Sequence, residues 1–323
     1  MEKFNLTPVE DTTSDVGETN ESAEKPDFVK KIENFDINNL SPENIEFMNH
    51  IIQDVFRENF PVDSEIIDKI PDRMRIVENE EFVRLLEEDG GDTDIDSGFY
   101  NPKLDQIVVN ISMHHNPGAL FSTMFHESLH FASINSGAGF NGGFCYPGVG
   151  ENETDELIGE LDEGVRVMRE GMTHNITRAY VMDYLKFDPQ SEMFGYEPEC
   201  LVTDAIWGAF SRDEKMQAYF EAPMELLRVR VESAFEENYD VDRPNGVFAD
   251  CLVDVARNTK QIRNALNSWK ENGDPAPVED VLRNIRHAVG LFVVREVENG
   301  DRTLSEEDEE SLRDYLEPYL VEE

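Results

Sequence analysis

Residues Phe121 to Ser133 read FSTMFHESLHFAS, with His126 and His130 four apart and Glu127 beside the first. An α-helix turns about 100° per residue, so these imidazoles fall about 40° apart around the axis and one turn apart along it. At that spacing two ring nitrogens can converge on one metal ion. Glu127 leans to the same side, where a carboxylate can take a proton from a water held by such an ion. The competing reading is a pair of structural histidines on a buried helix. Such a pair would need polar partners of its own, because a buried imidazole without one is costly.

The flanking residues favour a helix with room over the pair. Phe121, Phe125, Leu129 and Ala132 form one apolar row, with Leu120, Met124 and Phe131 beside it. The row Ala119, Thr123, His126, His130 and Ser133 is small and polar. Asn116-Pro117 is a start signal, a capping side chain followed by proline at the first helical position. The spacing predicts a helix from there to about Asn135.

Other elements must position this helix. Ser41-Pro42-Glu43 opens a helix carried by Ile45, Met48, Ile51, Ile52 and Val55. Arg73 to Glu78 (RMRIVE) reads as a strand and Glu80 to Glu88 as a helix. Gly98 to Tyr100 and Gln106 to Ile111 (QIVVNI) read as a hairpin joined by Asn101-Pro102-Lys103-Leu104-Asp105. The loop Ser136 to Gly150 holds six of the chain's twenty glycines. A helix then opens near Asn152, and from about Ile176 the pattern is mostly helical, with a break at Gly273 to Pro277. These readings divide the chain into an acidic disordered tail (1–40), a catalytic-type domain (41–180) and a helical C-terminal part (181–323), which could be continuous with that domain.

Thr123 to Ala132, with HESLH at its centre, resembles the extended motif of the zincin metallopeptidases. The resemblance covers about Arg73 to Met172. It implies an α+β fold with a small mixed sheet, an active-site helix and a second helix that supplies a ligand. It also implies Zn2+ held by His126 and His130, Glu127 as general base, and a peptide or protein substrate laid along an edge strand, for which QIVVNI is the candidate. A zincin-derived protein that binds without catalysing is the alternative.

A catalytic zinc takes three protein ligands and an open position. The metzincin pattern is excluded, because positions 133 and 136 are Ser133 and Ser136. Gluzincins take a glutamate from a second helix, and Leu161-Asp162-Glu163-Gly164-Val165 resembles their signature. That resemblance makes Glu163 the expected third ligand, with Asp162 behind a histidine and Gly164 allowing close helix approach. Leu157, Leu161, Val165, Met168 and Met172 form the apolar stripe of this helix. Glu163 lies opposite, with Glu156, Glu160, Val167 and Glu170, on what also reads as a solvated acidic face. Glu160 and His174 stay open as alternatives, and Cys145 is a weaker one. Tyr146, Tyr196, His174 and Arg166 are candidates for stabilising an oxyanion. His114 and His115 read as loop residues, and His50 and His287 as structural.

Composition narrows the partners. The 323 residues carry a net charge of −42, which opposes binding to phosphate backbones and anionic membranes. Hydrophobic residues make up 39%, enough for a substantial core. The start of the chain has no apolar signal region, and no apolar run reaches membrane-spanning length. Cys145, Cys200 and Cys251 are odd in number and widely spaced, which fits reduced thiols and a cytoplasmic setting.

Overall fold

The computed structural model describes residues 25–89, 97–136, 155–187, 196–208, 212–220, 228–229, 231–232, 234, 247–272 and 276–299. The architecture is mixed α+β, mostly helical with a small sheet. The chain divides into two compact units. One comprises Met1–Ala138 and Thr173–Gly195, the other Gly139–Met172 and Tyr196–Glu323.

In the first unit, order begins before the expected start at Ser41. Helix α1 (Asp27–Glu33) buries Phe28, Val29 and Ile32, apolar positions one and four apart that share a helical face. The tail expected up to residue 40 is therefore structured from Asp27 onward, and residues 1–24 lie outside the described residues. Helix α2 (Pro42–Asn59) starts as expected, with the Ser41 side chain accepting from the Asn44 amide. Two short helices, α3 (Ser64–Ile67) and α4 (Ile70–Arg73), lead into strand β1 (Met74–Val77). Helix α5 (Asn79–Asp89) comes next, then the hairpin strands β2 (Gly98–Asn101) and β3 (Gln106–Asn110).

The sheet order is β1-β3-β2, with β1 parallel and β2 antiparallel to β3. The QIVVNI segment is therefore the central strand, not the edge. Ile107, Val108 and Val109 are consecutive and all buried, the mark of a strand covered on both faces. Val108 packs with Val77, Phe82, Leu85 and Leu86, so α5 covers that face. Helix α6 (Pro117–Asn135) packs against β2 and β3. Among the described residues β1 and β2 are the edges.

An aromatic cluster anchors α6. Phe125 meets Phe56 and Phe60 of the α2 segment, and Phe60 meets Tyr180 with ring centroids 4.7 Å apart. Phe121 stacks on Phe187 at 4.8 Å. Tyr180 and Phe187 come from chain that re-enters this unit at the end of α7 (Asp155–Thr177), where Arg178–Tyr184 continues as a π-helical stretch. The boundary between the units passes between Met172 and Thr173, inside the unbroken helix α7.

The described part of the second unit is helical: the first part of α7, α8 (Glu197–Trp207), α9 (Arg212–Phe220), α10 (Val247–Asn272) and α11 (Ala276–Asn299). The break expected at Gly273 to Pro277 falls between the last two. Two glycines set the spacing of α7 here. A Cβ on Gly171 would lie 2.0 Å from Thr203 Oγ1 and 2.6 Å from the Glu199 carbonyl oxygen. A Cβ on Gly164 would lie 2.2 Å from the Leu252 carbonyl oxygen, so that glycine serves packing on α10. Among the described residues no helix is long and apolar enough to cross a membrane.

One of the Gly171 contacts, the Glu199 carbonyl oxygen at 2.6 Å, is backbone and cannot swing aside. Gly171→Ala is expected to destabilise the chain by about 1–3 kcal/mol, the usual cost of overpacking. Urea unfolding followed by circular dichroism checks this, and an unchanged midpoint would refute the close packing of α7 on α8.

Candidate metal centre

The site is built on α6. Asn116 accepts from the Ala119 amide at 2.8 Å, and Pro117 fills the first turn as expected. From Pro117 to Ser133 every residue but Thr123 is buried, so the histidines sit in the interior rather than on a wet face. His126 and His130 are 8% and 6% exposed, and Glu127 is 6% exposed. The Nε2 atoms of His126 and His130 stand 3.2 Å apart, with ring centroids at 4.9 Å. The sequence spacing has thus produced convergence of the two rings.

Glu127 lies beneath the start of β2. A Cβ on Gly98 would come within 2.9 Å of Glu127 Cγ and 3.3 Å of its Oε1, and within 2.7 Å of Thr123 Cγ2. Only a residue without a side chain lets this strand cross so close to the glutamate. Ser97 adds a 3.4 Å hydroxyl contact to Thr123. The edge strand beside HESLH is therefore β2.

The acid that joins the histidines is Glu170. His126, His130 and Glu170 each offer a ligand atom, all within 4.8 Å of one another, and all three residues are buried. Glu170 stands one turn before His174 on α7, and the far end of that helix packs in the same unit as α6. The ring of His174 lies 6.1 Å from that of His126. Glu170, Thr173, His174 and Thr177 recur at helical spacing and are all buried. An ion pair from Arg169 Nε reaches Glu170 Oε1 at 3.0 Å. A carboxylate has about four lone-pair sites, so this leaves capacity for an ion.

Glu163 is placed elsewhere. Arg166 binds it through Nε and Nη2 at 2.7 and 2.8 Å, and the same Nη2 reaches Glu199 at 2.8 Å. Arg263 reaches the same oxygen of Glu199 at 2.6 Å. The hydrogen bond from Arg166, opposed by burial and helped by the charges of Arg166 and Arg263, holds the Glu163 carboxyl below its ordinary range. Its ionised form is thus favoured in the fold, a stabilisation complete above the normal carboxylate range and lost as pH falls through the lowered pKa. Glu160 is held by Arg257 at 2.9 and 3.1 Å. Both acids serve ion pairs in the second unit, because the face they share also meets arginines.

The remaining expectations divide plainly. Arg166 is held by its two glutamates. Cys145 and Tyr146 lie outside the described residues, while Cys200 and Cys251 are buried. His114 is buried, which pushes its pKa down to about 4, with a smaller contribution from His115. His115 and His287 are exposed, and His50 pairs with Asp54 at 3.5 Å.

Glu170 was visible in the sequence only as one acid on the same face as Glu163. Its distinguishing mark is its continuation along the helix, where Thr173, His174 and Thr177 extend it as an unbroken polar row. Glu170-Gly171 also repeats the Glu-Gly pair found at Glu163-Gly164. The face was legible, and the turn was two further along.

These residues define a buried His/His/Glu group of the kind that can hold a metal ion. Set against known proteins, the chain matches no family model, no curated protein and no solved structure.

In the full-length protein, Zn2+ retained after dialysis against a metal buffer should fall at least 10-fold in Glu170→Gln and stay near wild type in Glu163→Gln. The reverse pattern would return the third ligand to Glu163. Separately, Gly98→Ala should displace Glu127 and lower stability by about 1–3 kcal/mol through overpacking, read by thermal melting. An unaltered melt would mean that β2 does not cover Glu127 so closely.

Proposed function

We propose that this protein is a zinc-dependent metallopeptidase of zincin type, with His126, His130 and Glu170 as metal ligands and Glu127 as general base. The observation that carries the reading is the 3.2 Å approach of the two buried Nε2 atoms, with Glu170 beside them. Two nitrogens bound at about 2.0–2.1 Å to one tetrahedral ion stand roughly 3.3 Å apart, so the pair already has the spacing of a ligand edge. Two imidazoles and a carboxylate are a donor set that zinc accepts, and three ligands leave a position open.

When bound, zinc would supply an acidified water and polarise the carbonyl of a peptide bond. The protein residues do the rest. Glu127 takes a proton from the attacking water and passes it to the leaving amine. Burial keeps its carboxylate in a medium where such charges act strongly, and Gly98 lets β2 lie directly over it. The side of β2 away from β3, an edge among the described residues, is a place where an extended peptide could add as a strand. Among the described oxyanion candidates, His174, one turn beyond Glu170, is favoured, because its ring already neighbours His126.

A second reading has one observation in its favour. His126, Glu127 and His130 are almost fully buried, as in metal sites that only hold a fold together. Glu127→Gln separates the two. For the peptidase, the variant should keep its zinc while hydrolysis of a mixed peptide library falls by about 100-fold or more. Wild-type protein that binds zinc tightly yet cleaves nothing in that library, with Glu127→Gln indistinguishable from it, would leave the non-catalytic reading standing.

A further inference from the structure

The His126 ring has two nitrogens, and only one faces His130. The other, Nδ1, lies 3.4 Å from Thr177 Oγ1. Thr177 is fully buried, and its hydroxyl also donates to the Thr173 carbonyl at 2.8 Å. A hydroxyl has one proton and two lone pairs. The carbonyl can only accept, so the proton of Thr177 is directed to Thr173. Toward His126 the oxygen then offers a lone pair, and Nδ1 must bring the hydrogen. A ring that carries its proton on Nδ1 has a lone pair on Nε2, the atom that faces His130 Nε2.

We propose that Thr177 is a positioning residue that sets the tautomer and ring orientation of His126 by relaying the backbone polarity of Thr173 through its hydroxyl. The inference rests on the reading of His126 as a ligand, but its direct consequence is a property of the metal-free protein. Both bonds lie within one structural unit. The contact with His126 joins α7 to α6 at the point where the α-helical pattern gives way to the π-helical stretch after Thr177. A threonine hydroxyl bonded back to the carbonyl four residues earlier is a known source of local helix distortion. The unusual backbone there and the partner of His126 thus share one side chain. Residues behind metal-binding histidines commonly act in this way, and their loss costs about 10–100-fold in metal affinity.

The test uses full-length protein labelled with ¹⁵N-histidine, the His126 signals being assigned by their absence in His126→Gln. In wild type without metal, the ring ¹⁵N shifts and long-range couplings should report the Nδ1–H form. Thr177→Ser should keep that form. Thr177→Val, which preserves shape and removes the hydroxyl, should shift the ring toward a mixture or the Nε2–H form. Zn2+ affinity, measured by competition with a chromophoric chelator, should fall about 10–100-fold in Thr177→Val and recover in Thr177→Ser. An Nε2–H ring in wild type overturns the proposal without any variant. So does a Thr177→Val protein with the wild-type tautomer and affinity. If wild type binds no Zn2+ yet shows the Nδ1–H form, and Thr177→Val loses it, the metal reading fails while the role of Thr177 in setting the tautomer holds.

Discussion

Two imidazole nitrogens 3.2 Å apart inside a buried helix are the constraint on which this structure turns. Two lone pairs cannot face each other at that distance without something positive between them. A proton shared between the rings satisfies the pair, and so does a metal ion held by both. An unsatisfied buried polar group costs about 1–3 kcal/mol, so the interior around α6 must supply directed partners. It does so with hydroxyls and carboxylates rather than water-facing groups.

The elements around α6 answer that need. The sheet, itself covered by α5, packs against α6 through β2 and β3, while Phe56, Phe60, Phe121, Phe125, Tyr180 and Phe187 cluster around the helix. An all-round apolar contact fixes the rotation of α6, and so the direction in which His126 and His130 point. Gly98 lets strand β2 pass over Glu127. Helix α7 brings a row of buried polar residues, and Gly171 next to Glu170 presses the same helix against the backbone of α8.

The chain's charge shapes the second unit in a related way. With 70 acidic against 28 basic residues, arginines are scarce. Two of them nonetheless converge on Glu199, which is 2% exposed. A buried carboxylate must be paired, since breaking such a pair leaves an uncompensated charge. Arg166 therefore holds Glu163 and Glu199 together, and Glu163 is an ion-pair residue because a guanidinium group takes both of its oxygens.

Much of the first unit was legible in the sequence. The caps at Ser41 and Asn116, the strand after Arg73, the hairpin and the span of α6 all depend on neighbours a few residues apart, which sequence displays directly. The four-residue spacing of His126 and His130 determined their convergence for the same reason, because a helix has one geometry. What the sequence did not determine was anything that depends on which elements meet. QIVVNI became the central strand because β1 pairs along one side and β2 along the other. Residues 27–33 became ordered because Phe28, Val29 and Ile32 have a core to enter. Glu163 and Glu170 share a helical face two turns apart, and only the polar row of Thr173, His174 and Thr177 beyond Glu170 hints at a difference between them. Only the packing of α7, with arginines at one level and histidines at the other, decided which carboxylate pairs with charge and which joins the buried imidazoles.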